Sequence, residues 1–148
     1  MASSLTPAAR ASLIALLFNN TNFANVGDAT GLRGSSTAGS FYISLHTSDP
    51  SGGNQSTSES AYTGYARIPV ARTSGGFTCS GENVSNAAAV IFAACTAGTE
   101  TITHFGIGSA SSGAGNLMAS APLDSTLAVY ATIQPQFDIG SLSAAAAC

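Results

Sequence analysis

Two histidines, three cysteines and seven carboxylates are the side chains of this 148-residue chain that could do acid–base, nucleophilic or metal chemistry. His46 and His104 each lie in an alternating segment, and Asp49 follows His46 by three positions. A metal site requires His and carboxylate ligands that converge from separate strands, which spacing along the chain neither shows nor excludes. We interpret both histidines as structural hydrogen-bonding residues and predict no metal and no cofactor.

No motif of nucleophilic catalysis occurs in the chain. The stretch at 108–111 comes nearest to a G-x-S-x-G nucleophile elbow, but it does not fit the pattern. A reactive thiolate requires a positive neighbour, and neither Cys79 nor Cys95 has a charged residue within two positions. The seven acids come with few aromatic residues on which a sugar could stack, which argues against a glycosidase. We therefore predict that the chain is not an enzyme and has no catalytic residues.

The cysteines are odd in number and have no close pair, so they indicate neither a disulfide framework nor a four-ligand zinc site. We expect Cys79 and Cys95 to be small buried hydrophobic residues within strands. For Cys148, the last residue, an exposed thiol and an intersubunit bridge are both open. The Gly106–Gly108 stretch lacks the third glycine and the βαβ context of a dinucleotide fingerprint, and we interpret it as a bend or bulge in a strand.

Charge is scarce, because charged residues make up 7% of the chain and lysine is absent. A typical soluble domain contains about 25% charged residues. Charge depletion is typical of protein interfaces, so the composition favours a protein that assembles over one with a merely neutral, hydroxyl-rich surface. A net charge of −3 with four scattered arginines cannot form a phosphate-binding groove, so we predict no nucleic-acid partner.

No apolar run approaches the ~20 residues that span a membrane, so we predict no membrane partner. The apolar stretch 11–18 lacks a charged n-region and a cleavage site, and we interpret it as part of a helix in the mature protein. That helix is predicted over residues 5–18, with Thr6 as N-cap and Pro7 at the first helical position. Its apolar residues are too dense for one narrow stripe, so most of its surface needs cover from its own chain or from a neighbouring subunit.

The stretch 40–72 predicts two β-strands joined by a long polar loop. Phe41, Ile43 and Leu45 occur at every second position, which is the period of a half-buried strand. A turn rich in Pro and Gly follows, and the neutral run 54–60 is expected to face solvent. A second strand is expected over residues 65–71.

Short β-like segments continue to the C-terminus with Gly-rich turns between them, including strands at 99–108, 116–122 and 126–137 and a last short strand near 139–142. About eight strands predict an all-β fold, a jelly-roll-like β-sandwich of two four-stranded sheets with one N-terminal helix. An immunoglobulin-like sandwich is the alternative, although the chain has no Trp for its usual core. By length we expect a single domain, with 1–39 as helix and extended arm and 40–148 as the sandwich body.

Two blocks of the sequence resemble a family of small virion proteins of tailed bacteriophages. The first block is Leu45-His46-Thr47-Ser48-Asp49-Pro50 with Glu59, Tyr62 and Gly64-Tyr65-Ala66-Arg67, and the second is Thr103-His104-Phe105-Gly106-Ile107-Gly108 with Gly113-Ala114-Gly115-Asn116-Leu117. Together they cover roughly residues 41–123. Proteins of this kind are labelled tail-fibre-like, and some similar ones are capsid cement or decoration proteins.

The resemblance implies a structural virion protein made in the host cytoplasm. Our first expectation is a capsid cement or decoration protein on the outer surface of the capsid, which binds and stabilises the assembled shell. Its partners would be the major capsid protein and further copies of itself, as a dimer or trimer. The alternative is a tail-fibre or receptor-binding module that recognises the host surface.

The candidate partner-interface residues come from the helix and from the 40–72 stretch. Tyrosine is enriched at interfaces, and the planar guanidinium of Arg67 suits carboxylate or carbonyl groups of a partner. The alternative for Arg67 is that it is simply exposed or forms a local salt bridge. The full set is Leu13, Leu17, Phe18, Tyr42, Tyr62, Tyr65 and Arg67.

Overall fold

The computed structural model describes residues 5–146 and shows a mostly β chain with one helix at its N-terminal end. Within that range the elements are α1 (Pro7–Asn19), β1 (Ser40–His46), β2 (Ile68–Ala71), β3 (Phe77–Ser80), β4 (Asn83–Asn86), β5 (Val90–Ile91), β6 (Thr99–Gly108), β7 (Leu117–Tyr130), β8 (Gln136–Phe137) and β9 (Ser143–Ala145). The predicted all-β class with an N-terminal helix is confirmed. Cys148 lies outside the described residues.

The described strands form three sheets, where we expected two sheets of four. The orders are β2-β1-β6-β7, β3-β4-β9 and β5-β8, and the pairings with a defined register are antiparallel. The apolar run around β5 explains part of the difference. It is extended, but it pairs with β8 over only two residues, so it forms a short ribbon of its own.

The chain divides into two compact units. Unit 1 consists of Met1–Gly39, Ala71–Ala88 and Ile139–Cys148, and unit 2 consists of Ser40–Val70 and Ala89–Asp138. Unit 1 thus draws on three stretches that are distant in sequence. The expected division into a 1–39 arm and a 40–148 body stays a prediction.

In unit 1, helix α1 begins and ends at residues whose side chain or backbone suits the position. The Thr6 hydroxyl accepts a hydrogen bond from the Ala9 N–H at 3.3 Å, and Pro7 occupies the first turn, as predicted. At the other end Asn20 adopts the left-handed conformation, with φ 53°, and donates its N–H to the helix. The helix packs on β3 and β4, where Phe18 meets Phe77 edge-to-face with 5.2 Å between ring centroids.

Two arginines tie unit 1 together. Arg72 donates to the carbonyl oxygens of Leu16 at the end of α1 and of Ala38, both at 3.0 Å. A cation at the C-terminus of a helix also interacts favourably with the helix dipole. Arg10 forms a bidentate ion pair with Glu82, at 2.6 and 2.9 Å, which lowers the pKa of the Glu82 carboxyl.

In unit 2, β1 is buried more completely than its alternation predicts. Ile43, Ser44, Leu45 and His46 are all 0% exposed, so both faces of the strand end are covered. The cover is the following loop, which folds back so that the Ser60 N–H donates to the Leu45 carbonyl at 2.8 Å. The expectation of a half-buried strand is therefore wrong for this end.

Strand β7 joins what we predicted as two strands. Its register with β6 breaks between the pairs Ile102–Leu127 and His104–Pro122, which are two positions apart on β6 and five apart on β7. The extra residues form a bulge, so one irregular strand of 14 residues runs along this edge of the four-stranded sheet. The last predicted strand, near 139–142, lies slightly later as β9.

Candidate functional site

A buried ion pair lies at the centre of the polar cluster of unit 2. Arg67 donates to both carboxylate oxygens of Glu59, at 2.6 and 2.7 Å, and the side chain of Arg67 is 2% exposed. The same guanidinium donates to the carbonyl oxygens of Ala110, at 2.8 Å, and Gly113, at 2.7 Å. The hydrogen bonds with Glu59 raise the pKa of Arg67. Of the two roles open for Arg67, the local salt bridge is thus formed.

Tyr65 extends this ion pair into the aromatic core. Its hydroxyl donates to Glu59 at 2.9 Å and accepts from the Leu45 N–H at 3.1 Å, and burial raises its pKa. Its ring stacks on Phe92 with centroids 6.0 Å apart and meets Tyr62 edge-to-face at 5.5 Å. The Tyr62 hydroxyl donates to the Ala93 carbonyl at 2.9 Å, and burial raises its pKa to about 12.

His46 and Ser44 form a serine–histidine pair within the same cluster. The His46 Nδ1 lies 2.9 Å from the Thr57 carbonyl, which can only accept, so Nδ1 carries the proton and Nε2 accepts from the Ser44 hydroxyl at 2.8 Å. A serine hydroxyl hydrogen-bonded to a histidine is also found in hydrolases, but here both residues are 0% exposed. A Cβ added at Gly106 would lie 2.7 Å from both polar atoms, so this backbone covers the pair.

Burial lowers the pKa of His46, and the nearby charge of Arg67 acts in the same direction. The Thr57 carbonyl and the Glu59 carboxylate oppose the shift without reversing it. The neutral imidazole therefore holds the loop after β1 in place, and its position suits a structural role better than proton transfer to a ligand.

Gln55 is a cluster member that sequence reasoning missed. It is 0% exposed although it lies in the 54–60 run, which we expected to face solvent. Its side chain donates to the Tyr42 carbonyl at 3.3 Å and accepts from the Ala110 N–H at 2.9 Å. Gly108 leaves the space that the Gln55 side chain occupies, because a Cβ there would overlap it. The one signal of this packing in the sequence is that residue 108, at the end of β6, is glycine.

Glu100 was also missed. Its carboxylate accepts from the Ser60 hydroxyl and from the Ala61 N–H, the latter at 3.2 Å. It thus fixes the far end of the loop to β6. Among the described residues, every buried side-chain nitrogen and oxygen has a hydrogen-bond partner.

The structure brings three of the seven candidate interface residues together, namely Tyr62, Tyr65 and Arg67 in unit 2. Tyr42 lies on β1 of the same unit and is half-buried. In unit 1, Phe18 is buried against Phe77, while Leu13 and Leu17 of α1 are half-buried. A role at a partner interface stays a prediction for all seven.

Apolar side chains are exposed on both units. The described residues with large exposed apolar side chains are Leu5, Val26, Leu32, Ile91, Met118, Tyr130 and Ile139. Within the described range, no three His, Cys, Asp or Glu side chains converge on a common point where a metal ion would fit. No helix in that range is long and apolar enough to cross a membrane.

Comparison with known proteins gives a match over nearly the whole described chain. The family model described as "Podophage GP4 fiber I protein gp80" matches residues 7–145, which include helix α1 and all nine strands of the described range. No curated protein matches the chain.

Proposed function

Because the chain belongs to the podophage GP4 fiber I protein gp80 family, it is a structural protein of a tailed-phage particle, and we propose that it acts there by docking, without catalysis. The observation that carries the absence of catalysis is the internal use of the polar cluster. His46, Glu59 and Arg67 are the groups best suited to chemistry, and each is engaged by partners inside unit 2. They hold loops in place, so these three side chains serve the fold of unit 2.

We place the protein first in a fibre of the particle. The family description names a fibre protein, which supports this placement. In this role the chain would bind further copies of itself and the neighbouring virion protein at the fibre base. Recognition of the host surface is part of this proposal.

Decoration of the capsid is the second candidate. The charged fraction of 7% and the exposed apolar residues on both units favour broad contact with a repeating surface. The partner would be the major capsid protein, on the outer surface of the head. Weak contacts suffice there, because a symmetric lattice repeats each one many times.

In either placement, the docking contacts are best assigned to candidate residues that keep exposed surface. Leu13, Leu17 and Tyr42 are half-buried and can contact a partner without unfolding their unit. Phe18 in unit 1, and Tyr62 and Arg67 in unit 2, are buried, and we assign them to the support of the exposed residues of their own unit. No nucleic acid or membrane is part of the proposed contacts, since only four arginines and no lysine supply positive charge.

The experiment is a quantified protein gel of purified particles before and after removal of the tails. A fibre protein leaves with the tails and is present in few copies. A decoration protein stays with the heads at a copy number comparable to that of the major capsid protein. If the chain is missing from purified particles altogether, the proposal of a docking role on the particle is wrong.

A further inference from the structure

Strand β7 forms one edge of the four-stranded sheet. Within the described residues it pairs with β6 alone, and no strand lies along its other side. Such an edge offers a row of N–H and C=O groups to any extended chain, and most proteins protect it with charges, proline or bulges. The question is therefore which parts of β7 are protected.

The first half of β7 is protected in three ways. Pro122 has no N–H to offer, Asp124 adds a charge, and the bulge between Pro122 and Leu127 breaks the regular backbone spacing. An added strand could not follow this half without losing hydrogen bonds. The register with β6 is regular again from Leu127.

The second half, Thr126–Tyr130, contains no charge and no proline, and only Thr126 at its start belongs to the bulge. Leu127–Tyr130 is regularly paired with β6, and the whole segment is rich in residues that favour strands. Thr126, Ala128 and Tyr130 are exposed on one face, with Tyr130 at 51%. Tyrosine is enriched at protein interfaces, so an exposed tyrosine on an unprotected strand edge indicates a contact residue.

We propose that Thr126–Tyr130 pairs antiparallel with the same segment of a second copy, around a two-fold axis at Ala128. This register places Thr126 opposite Tyr130 and Leu127 opposite Val129, which are favourable cross-strand combinations. It leaves both copies of Asp124 beyond the paired segment, so no like charges face each other. The partner is a second copy because the neutral segment is complementary to itself, as an isologous interface requires.

The two copies would share one continuous eight-stranded sheet, twice the four strands of each copy. The inference deepens the proposed function, on which it rests for its setting in an assembly of identical subunits. Its test uses the isolated chain in solution. A failure there is therefore distinct from a failure of the particle experiment.

The test compares the dissociation constant of the dimer in the parent chain and in three variants, by analytical ultracentrifugation over a wide concentration range. Ala128→Lys places two like charges opposite each other at the axis and should weaken the dimer by about tenfold or more. Ala128→Glu should do the same. An equal mixture of the two variants should regain a dimer at least as strong as that of the parent.

Ala66→Lys is the matched control, because Ala66 is an exposed alanine of the same unit outside β7. It should leave the dissociation constant unchanged. Circular dichroism and the melting temperature confirm that each variant is folded. A parent chain that stays monomeric, a dimer that tolerates Ala128→Lys, or a mixture of the charged variants that stays monomeric would each overturn the proposal.

Discussion

The guanidinium of Arg67 meets the carboxylate of Glu59 in two hydrogen bonds of 2.6 and 2.7 Å, and it also reaches the carbonyls of Ala110 and Gly113. One side chain thereby connects the β1–β2 connection to the loop between β6 and β7. The planar guanidinium presents its N–H donors to these four oxygen atoms in a fixed geometry that a lysine ammonium could not reproduce. Arg67 therefore holds the β1–β2 connection and the β6–β7 loop of unit 2 together.

Replacing Arg67 by alanine should destabilise the protein by about 2 to 3 kcal/mol. The substitution removes the donor from the Ala110 and Gly113 carbonyls and leaves the Glu59 carboxylate with the Tyr65 hydroxyl in place of three donors. This value is at or below the lower end of the range of free-energy costs for breaking a buried ion pair. The reason is that the Glu59 side chain is 17% exposed, so water can partly solvate it. Urea denaturation measures the free energy of unfolding. Arg33→Ala, at an exposed arginine, is the control and should leave it unchanged.

The stability of the protein should fall as the pH drops below 6.5, because the folded state keeps His46 neutral. Well above pH 6.5 the histidine is neutral in both states and contributes no pH dependence. Below it the unfolded chain binds the proton, while the lowered pKa of His46 delays protonation of the folded state. The free energy of unfolding should therefore decrease by at most about 1.4 kcal/mol per pH unit, until the folded pKa is reached.

This decrease is measured by urea denaturation at a series of pH values from neutral to mildly acidic. His46→Gln removes the titrating group and should flatten the profile in this window, whatever its effect on stability at neutral pH. The same substitution at His104 should leave the decrease in place. A parent profile that is already flat from neutral pH to pH 5 would contradict the role assigned to buried His46.

Gly108→Ala should destabilise the protein by about 1 to 3 kcal/mol, because the added methyl group would overlap Gln55. Gln55 must then leave its site and give up its bonds to Tyr42 and Ala110. Thermal unfolding gives the measurement, with a fall in melting temperature of about 3 °C per kcal/mol for a chain of this size. Gly52→Ala is the matched control, since a Cβ there meets nothing within 4 Å. Equal melting temperatures for the two variants would contradict the packing argument.

Thr6→Ala should cost about 1 kcal/mol, because the Ala9 N–H loses the side-chain acceptor that caps helix α1. Thr6→Ser keeps a hydroxyl at the same position and should retain most of the stability. Chemical denaturation of the two variants side by side separates the hydrogen bond from the loss of a methyl group. If both variants lose the same amount, the cap is not the cause.

Features set by neighbouring residues could be predicted from the sequence. The cap at Thr6 and the bounds of β6 at Thr99–Gly108 were both predicted, because a helix start depends on four residues and a strand on its alternation. The antiparallel all-β class follows from the same kind of local pattern.

Features set by distant residues could not be predicted. Gln55 looks like a solvated loop residue, and its burial depends on backbone groups of Tyr42 and Ala110, which lie 13 and 55 positions away. The bulge in β7 depends on the register against β6, which no pattern within β7 reveals. The division into three sheets has the same origin, since strand partners are chosen in three dimensions.

The placement of the four arginines determines how a protease meets this protein. Trypsin cleaves after lysine and arginine, and a chain without lysine offers it only these four positions. The side chains of Arg67 and Arg10 are 2% and 16% exposed, and Arg72 is held by carbonyls of Leu16 and Ala38, which leaves exposed Arg33 as the accessible site. The folded chain should therefore resist digestion by trypsin except for one cut after Arg33.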